Sequence, residues 1–254
     1  MTLLNVMSLK KVYTTRFKQN QVLALNEISF KVETGEYVAI MGESGSGKTT
    51  LLNLLATLDK PTSGTIILSD LDVNKIKDKD LTTFRRDNLG FVFQEFNLLD
   101  TFSIKDNILL PLVLKNTPVK ELDKRLIPLV KALKIEHLLN KFPYEVSGGE
   151  KQRTAVARAL INNPKILLAD EPTGSLDSKA TDQLLQIFSE VNKNGQTVLM
   201  VTHSILAASK ANRILFIKDG NIFYQLYREQ KNDHELYQAI ASVLTRLSSE
   251  EENV

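Results

Sequence analysis

The stretch Gly42-Glu43-Ser44-Gly45-Ser46-Gly47-Lys48-Thr49-Thr50 constrains this chain more than any other. An apolar run, Tyr37-Val38-Ala39-Ile40-Met41, precedes it and reads as a buried strand; Leu51-Leu52-Asn53-Leu54-Leu55 follows as the start of a helix. Strand, glycine-rich loop and helix together make the phosphate-binding pattern G-x-x-x-x-G-K-[ST]. Gly42, Gly45 and Gly47 let the backbone curl until successive N–H groups point inward as an anion nest. The positive end of the following helix adds to that attraction. Lys48 is placed to reach the β- and γ-phosphates as a point charge, and the Thr49 hydroxyl to hold Mg²⁺. Ser44, Ser46 and Thr50 belong to the same cradle. An ordinary Gly/Ser turn would share the composition but not the strand before and the helix after. The expected ligand is a nucleoside triphosphate.

At 254 residues the chain suits one large domain, or a domain with an inserted lobe. A net charge of +2 gives no reason to expect a nucleic-acid partner. Cysteine is absent, which excludes disulfides, thiol nucleophiles and thiolate metal sites. The first residues, Met1-Thr2-Leu3-Leu4-Asn5-Val6, lack the pattern of an export signal. The best apolar run, Ile108-Leu109-Leu110-Pro111-Leu112-Val113-Leu114, is short and contains proline, so no membrane span is expected. A cytosolic chain is expected, unless something else brings it to a membrane.

Along the chain, residues 3–12 and 22–33 alternate apolar positions (Leu23, Leu25, Ile28, Phe30, Val32) and predict strands of an antiparallel edge sheet. Tyr13 ends the first of them. Its local sequence favours an ordinary aromatic at a strand end over a ring stacked on a base. Pro61-Thr62-Ser63-Gly64-Thr65 predicts a turn before the strand Ile66-Ile67-Leu68, and residues 71–88 a surface helix or loop. Gly90-Phe91-Val92-Phe93-Gln94 predicts another strand. Residues 95–145 then change to Leu-rich helical periodicity, interrupted by Pro111, Pro118, Pro128 and Pro143. That pattern predicts a helical insertion between strands.

Ser147-Gly148-Gly149-Glu150 predicts a helix start with a capping box, in which the Ser147 hydroxyl and the Glu150 carboxylate satisfy first-turn N–H groups reciprocally. Two glycines in a first turn cost about 1 kcal/mol each against alanine, and a cap alone does not need them. They make sense where the helix end must approach something closely, and its free N–H groups favour an anion. Ile166-Leu167-Leu168-Ala169-Asp170-Glu171 then reads as a central parallel strand delivering two carboxylates at its C-terminal end, where open α/β sheets bind ligands. Asp170 is the natural Mg²⁺ partner of Thr49, and Glu171 suits a general base or water-orienting group. Thr173-Gly174-Ser175-Leu176-Asp177 is a tight turn with another acid. Helix 179–193 leads to the strand 197–201, which delivers His203 to the same end of the sheet. Strands near 213–217 and 222–227 follow. Asn232 and Glu235 cap a last helix, whose stripe Leu236, Tyr237, Ile240, Val243, Leu244 and Leu247 is expected to pack on its own domain before an acidic, frayed tail, Glu250-Glu251-Glu252.

These motifs, in this order and spacing, resemble the nucleotide-binding subunit of an ABC transporter over about residues 1–225. The resemblance implies a P-loop NTPase (RecA-like) α/β core, about 1–94 and 162–225, with an antiparallel β edge sheet. It also implies an α-helical subdomain, about 95–161, and a C-terminal amphipathic helix, about 233–248. On that resemblance Tyr13 looks like the adenine-stacking aromatic, which reverses the local reading. Gln94 looks like the glutamine that touches Mg²⁺ and the attacking water while linking to the membrane subunit. Ser147, Gly148 and Gly149 look like the signature, Asp170 and Glu171 like the Walker B acid and catalytic glutamate. Asp177 looks like the D-loop acid, and His203 like the switch histidine. Val146 and Glu150 stand where the family usually has leucine and glutamine. The ligands implied are ATP and Mg²⁺.

In that family two chains pair head to tail, each ATP lying between one P-loop and the partner's signature. With one copy of each motif and no internal repeat, a homodimer is implied, held by an integral-membrane permease at the cytoplasmic face of the membrane. Gly64, the stretch 93–99 and Ala169-Asp170-Glu171-Pro172-Thr173-Gly174 resemble the branch serving lipoprotein release, macrolide export and peptide-antibiotic resistance. The end, Asp219-Gly220-Asn221-Ile222-Phe223-Tyr224-Gln225-Leu226-Tyr227-Arg228, is similar to bacitracin-resistance (Bce-type) ATPases, which pair with one large permease and often with a sensor kinase. A soluble ABC protein acting on ribosomes or DNA would usually carry two cassettes or a long coiled-coil insertion, and neither is present.

Overall fold

The computed structural model describes residues 1–14 and 21–251, with side chains as far as residue 246. Two long strands, β1 (Thr2–Thr14) and β2 (Gln21–Glu33), pair antiparallel, with Tyr13 opposite Val22 and Leu4 opposite Val32. A turn leads into β3 (Tyr37–Met41), buried along its whole length, and the glycine loop then delivers α1 (Lys48–Leu55). β4 (Ser63–Leu68) returns to the free edge of β1, and the two-residue β5 (Leu71–Asp72) completes a four-stranded sheet of order β2-β1-β4-β5. After α2 (Asp78–Asn88) and β6 (Leu89–Val92) come three helices, α3 (Ile104–Leu114), α4 (Val119–Ala132) and α5 (Gly148–Leu160). The chain then alternates β7 (Ile166–Asp170), α6 (Ser178–Lys193), β8 (Thr197–Val201), α7 (Ile205–Ala208) and β9 (Arg213–Lys218). β10 (Asn221–Tyr227) and α8 (Asp233–Glu251) close it.

The second sheet has the order β10-β9-β3-β8-β7-β6. It is parallel from β9 to β6, with β10 added antiparallel at one edge. Because successive residues of a strand face opposite sides, each central strand feeds two cores. Tyr37, Ala39 and Met41 of β3, Leu167 and Ala169 of β7, and Val198 and Met200 of β8 join the helices on one side. Val38, Ile40, Ile166, Leu168, Leu199 and Val201 join α1 and the antiparallel sheet on the other. The helices between β6 and β7 have no separate core: Ile104, Ile108, Leu112, Leu126 and Val130 belong to the same apolar cluster as Tyr37 and Phe216.

Several expectations shift. β4 begins at Ser63, inside the stretch expected to turn, because pairing of Ser63 with Lys10 and Thr65 with Met7 overrides the local turn chemistry. Residues 71–88, expected as a surface helix or loop, start as the short β5 and a 3₁₀ turn before α2. The strand expected to reach Gln94 ends at Val92. Pro111 and Pro128 lie inside α3 and α4 rather than interrupting them. Burial of Leu109 and Leu112 on one helix, and of Leu126 and Val130 on the other, offsets a proline penalty of about 3 kcal/mol. The last helix runs three residues beyond position 248, to Glu251. Its Leu236 and Ile240 are fully buried in the main core, with Val243 and Leu244 packed against it, so it does pack on its own domain. The side chain of Leu247 and the tail residue Glu252 lie outside the described residues.

Candidate active site

The loop between β3 and α1 is pinned from two sides. Gly47 caps α1 at φ 101°, in the left-handed region, where a Cβ would also collide with the carbonyl of Ala24 on β2. A Cβ on Gly42 would strike the carbonyl of Ile217 on β9. Lys48 folds back along the loop, its Nζ donating to the carbonyls of Gly42 at 2.9 Å and Glu43 at 2.7 Å. Burial draws the Lys48 pKa down, while Glu171, Asp170 and Glu43 oppose that shift.

Two neighbouring strand ends supply the acids and the histidine. Asp170 pairs with Val201 in the ladder of β7 and β8, so Glu171 and His203 leave the sheet side by side. Glu171 has φ 43°, rare for a residue with a side chain. That bend lets its N–H donate to the carbonyl of Val201 at 2.9 Å and turns its carboxylate toward His203. The backbone N–H of His203 donates to both carboxylate oxygens, at 2.9 and 3.2 Å, and its Nδ1 lies 2.9 Å from Oε1. A carboxylate only accepts, so Nδ1 carries the proton in this contact. The Glu171 side chain is 15% exposed and the His203 ring 74%, leaving the acid sheltered and the ring reaching outward.

Asp170 differs. Its Oδ1 is buried and has no hydrogen-bond partner among the described residues. Burial, then the charge of Glu171, raises its pKa, while Lys48 opposes. A buried carboxylate oxygen without a partner is costly unless a cation completes it. Among the described residues no three His, Cys, Asp or Glu side chains gather to hold a metal alone. That set fits Mg²⁺, a hard cation that takes one or two protein oxygens and keeps its other positions for water and phosphate. Asp170 and the Thr49 hydroxyl are the donors the strand end and the helix start offer.

The glycine loop, Tyr13, Lys48, Thr49, Glu171 and His203 open on one cleft of about 620 Å³, and Asp170 is not among its lining residues. Thr50, Ser44, Gly42, Gly45 and Gly47 also line it, whereas Ser46 is buried beneath the loop. Tyr13, from the other sheet, is 43% exposed and donates its hydroxyl to Asp59 Oδ2 at 3.0 Å.

Ser147, Gly148, Gly149, Asp177 and Gln94 do not line that cleft. Ser147 is exposed at the N-cap of α5, its hydroxyl accepting from the Glu150 N–H at 3.4 Å and donating to Glu150 Oε2 at 2.8 Å. Glu150 Oε2 also accepts the Ser147 N–H at 2.8 Å, which completes the expected box. The two glycines separate. A Cβ on Gly149 would lie 2.9 Å from the Ala180 Cβ, so packing on α6 within the chain accounts for it. Among the described residues a Cβ on Gly148 would meet nothing closer than 3.7 Å, so none of them requires glycine there. Asp177 caps α6, accepting from the Ala180 N–H at 2.8 Å.

Sequence reasoning passed over two residues of α5. Gln152 is fully buried and donates through Nε2 to the carbonyls of Phe93 at 3.0 Å and Pro172 at 2.7 Å. Those carbonyls flank Gln94 on one side and Glu171 on the other. Arg158 donates to the carbonyls of Phe96, at 2.8 Å, and Asn97. The helix whose first turn is Ser147-Gly148-Gly149 thus grips the Gln94 loop at both ends. A glutamine on the inner face of α5, beside Ala155 and Val156, was the available signal.

Residues 25–174 match the family model described as ABC transporter. The chain is 47% identical to the uncharacterized ABC transporter ATP-binding protein YvcR of Bacillus subtilis (strain 168), over 98% of this chain and 96% of that one. It is 44% identical to the bacitracin export ATP-binding protein BceA of Halalkalibacterium halodurans, over 94% of each. The dimeric, post-hydrolysis structure of the ATP-binding cassette MJ0796 with ADP and Pi, from Methanocaldococcus jannaschii, superposes with a TM-score of 0.80 at 39% identity, covering 89% of this chain and 98% of that one. Fold and sequence agree along nearly the whole length: the chain belongs to the ABC transporter family, among its ATP-binding cassettes.

Proposed function

We propose that this chain binds and hydrolyses ATP to power a membrane permease, as a homodimer at the cytoplasmic face of the membrane. The observation that carries the reading is the single cleft in which an amide-lined loop, Lys48, Thr49, Glu171 and His203 converge from separate strand ends. The loop amides and Lys48 grip the phosphates. Glu171 takes the proton of the attacking water, and His203 holds the carboxylate in line through its N–H and ring. Thr49, Asp170 and Gln94 would hold Mg²⁺, which when bound offsets charge on the β- and γ-phosphates.

Pairing is supported by what one chain leaves unused. The α5 terminus with Ser147 and Gly148 does not line the chain's own cleft, and a helix N-terminus suits a second chain's phosphates. Head-to-tail pairing puts each α5 terminus on the other chain's ATP, with Asp177 at the shared face. Closure on ATP and release on hydrolysis then drive the permease.

The substrate reading is a bacitracin-like antimicrobial peptide, exported or sensed, with a sensor kinase engaged through the permease. The 44% identity to the Halalkalibacterium halodurans protein supports it. The test is to co-express the chain with the permease of the neighbouring reading frame and measure co-purification, ATPase turnover with bacitracin, and bacitracin susceptibility of cells. Expected are a stable complex, stimulated turnover, and loss of resistance with Glu171→Gln. Unchanged susceptibility in that variant removes the peptide reading, and absence of turnover in the complex removes the ATPase reading.

A further inference from the structure

The base end of the cleft is held by a second set of residues. Tyr13 stands at the end of β1, and an exposed ring there has two free side-chain torsions. Here it has neither free. Its hydroxyl donates to Asp59 Oδ2 at 3.0 Å, and the Lys11 ammonium sits 4.7 Å from the ring centroid. Lys11 is itself fixed, donating to Asp59 Oδ1 and to the carbonyl of Lys60, each at 2.8 Å. Its side chain is only 11% exposed, so its charge is committed to the carboxylate and the ring rather than to water. Burial would raise the Asp59 pKa, but bonds from Lys11, the Lys60 N–H and Tyr13 outweigh it and hold the carboxyl ionised.

Asp59 is anchored in turn to the phosphate end. It follows the last turn of α1, where the N–H groups of Leu58 and Asp59 donate to the carbonyl of Asn53 at 2.9 and 3.4 Å. α1 begins at Lys48, so one eight-residue helix, about 12 Å long, joins the phosphate loop to the group that orients the ring.

We infer that Asp59 is a positioning residue for nucleotide binding: with Lys11 it locks the Tyr13 ring at a distance from the phosphate loop set by α1. The ammonium covers one face and leaves the other for a flat base. This inference rests on the nucleotide reading of the cleft and deepens it. Asp59 touches no nucleotide and acts only through the ring, so its loss weakens ligands that carry a base and spares those that do not.

The test measures the affinity of the purified chain for ATP and for inorganic tripolyphosphate, which has phosphates but no base. Asp59→Ala is expected to weaken ATP about three- to tenfold, part of the stacking contribution, and to leave tripolyphosphate unchanged. Tyr13→Phe keeps the ring, removes the tether and should weaken ATP similarly, which covers the case of a poorly folding Asp59 variant. The double variant should lose less than the sum of the two. Unchanged ATP affinity in both single variants, a parallel loss of tripolyphosphate, or full additivity would overturn the assignment. Lys48→Ala is the control on the underlying reading: if it leaves both ligands bound as before, the cleft is not the phosphate site at all.

Discussion

Glu171 and His203 are joined twice, by a backbone N–H at 2.9 Å and by ring Nδ1 at 2.9 Å, both to the same carboxylate oxygen. The pairing of β7 with β8 puts the two residues side by side, and the positive φ of Glu171 turns its acid across the gap. A carboxylate held this way has its orientation fixed before any water arrives, as the proposed role of base requires. Glu171→Gln is therefore expected to slow ATP turnover by about 10²–10⁴ while ATP binding persists, leaving an ATP-loaded dimer visible by size exclusion. Wild-type turnover in that variant would place the base elsewhere.

Lys48 has its ammonium on the loop carbonyls of Gly42 and Glu43, where it can move to phosphate without leaving the loop. Lys48→Ala should weaken ATP at least tenfold in equilibrium binding, the loss of a charge-assisted contact worth about 1.5–3 kcal/mol. Its melting temperature should change little, since the side chain anchors no core.

Gly148 and Gly149 should part company. Gly149→Ala presses on Ala180 and should cost about 1–3 kcal/mol in denaturant unfolding as α6 shifts. Gly148→Ala makes only ordinary van der Waals contacts, with Leu176 and Phe96 at 3.7 and 3.8 Å, and should unfold like the parent or slightly later. In a Glu171→Gln background, however, Gly148→Ala should abolish the ATP-dependent dimer. Retention of that dimer would show that the α5 terminus never meets a partner's nucleotide.

Gln152 links the loops that carry Gln94 and Glu171. Gln152→Leu leaves the carbonyls of Phe93 and Pro172 without their donor, at about 1–3 kcal/mol of stability each. Turnover should fall by about 10²-fold with the KM for ATP nearly unchanged, since the phosphate loop is untouched. A KM that rises with kcat constant would contradict a role in holding the catalytic loops.

Acidification should weaken the fold through Asp59 and Asp87. Burial pushes both carboxyls up, but bonds from Lys11 to the first and from Arg86 and Lys115 to the second prevail and hold them below the ordinary range. The unfolded chain then binds more protons near pH 4, so stability present at neutral pH is lost as pH falls through that region. Melting temperature measured from pH 7 to pH 3 should drop, and Asp87→Asn should flatten the drop. An identical slope in the variant would remove Asp87 from the account.

The sequence by itself determined everything that local chemistry dictates. The strand, glycine loop and helix around Lys48, the buried strands ending at Asp170 and Val201, and the capping box of Ser147 with Glu150 all follow from residue type and spacing over a few positions. Contacts between distant segments were decided only in three dimensions. Nothing near Asp59 in the chain announces that it holds Tyr13, nor does anything near Gln152 point to Phe93 and Pro172. Long-range pairing also drew Ser63 into β4 against its turn-forming neighbours, and core burial carried α3 and α4 through their prolines. Local propensity is worth about a kilocalorie per residue, whereas strand pairing and the filling of a shared core gather many such increments, so where the two disagreed the tertiary structure prevailed.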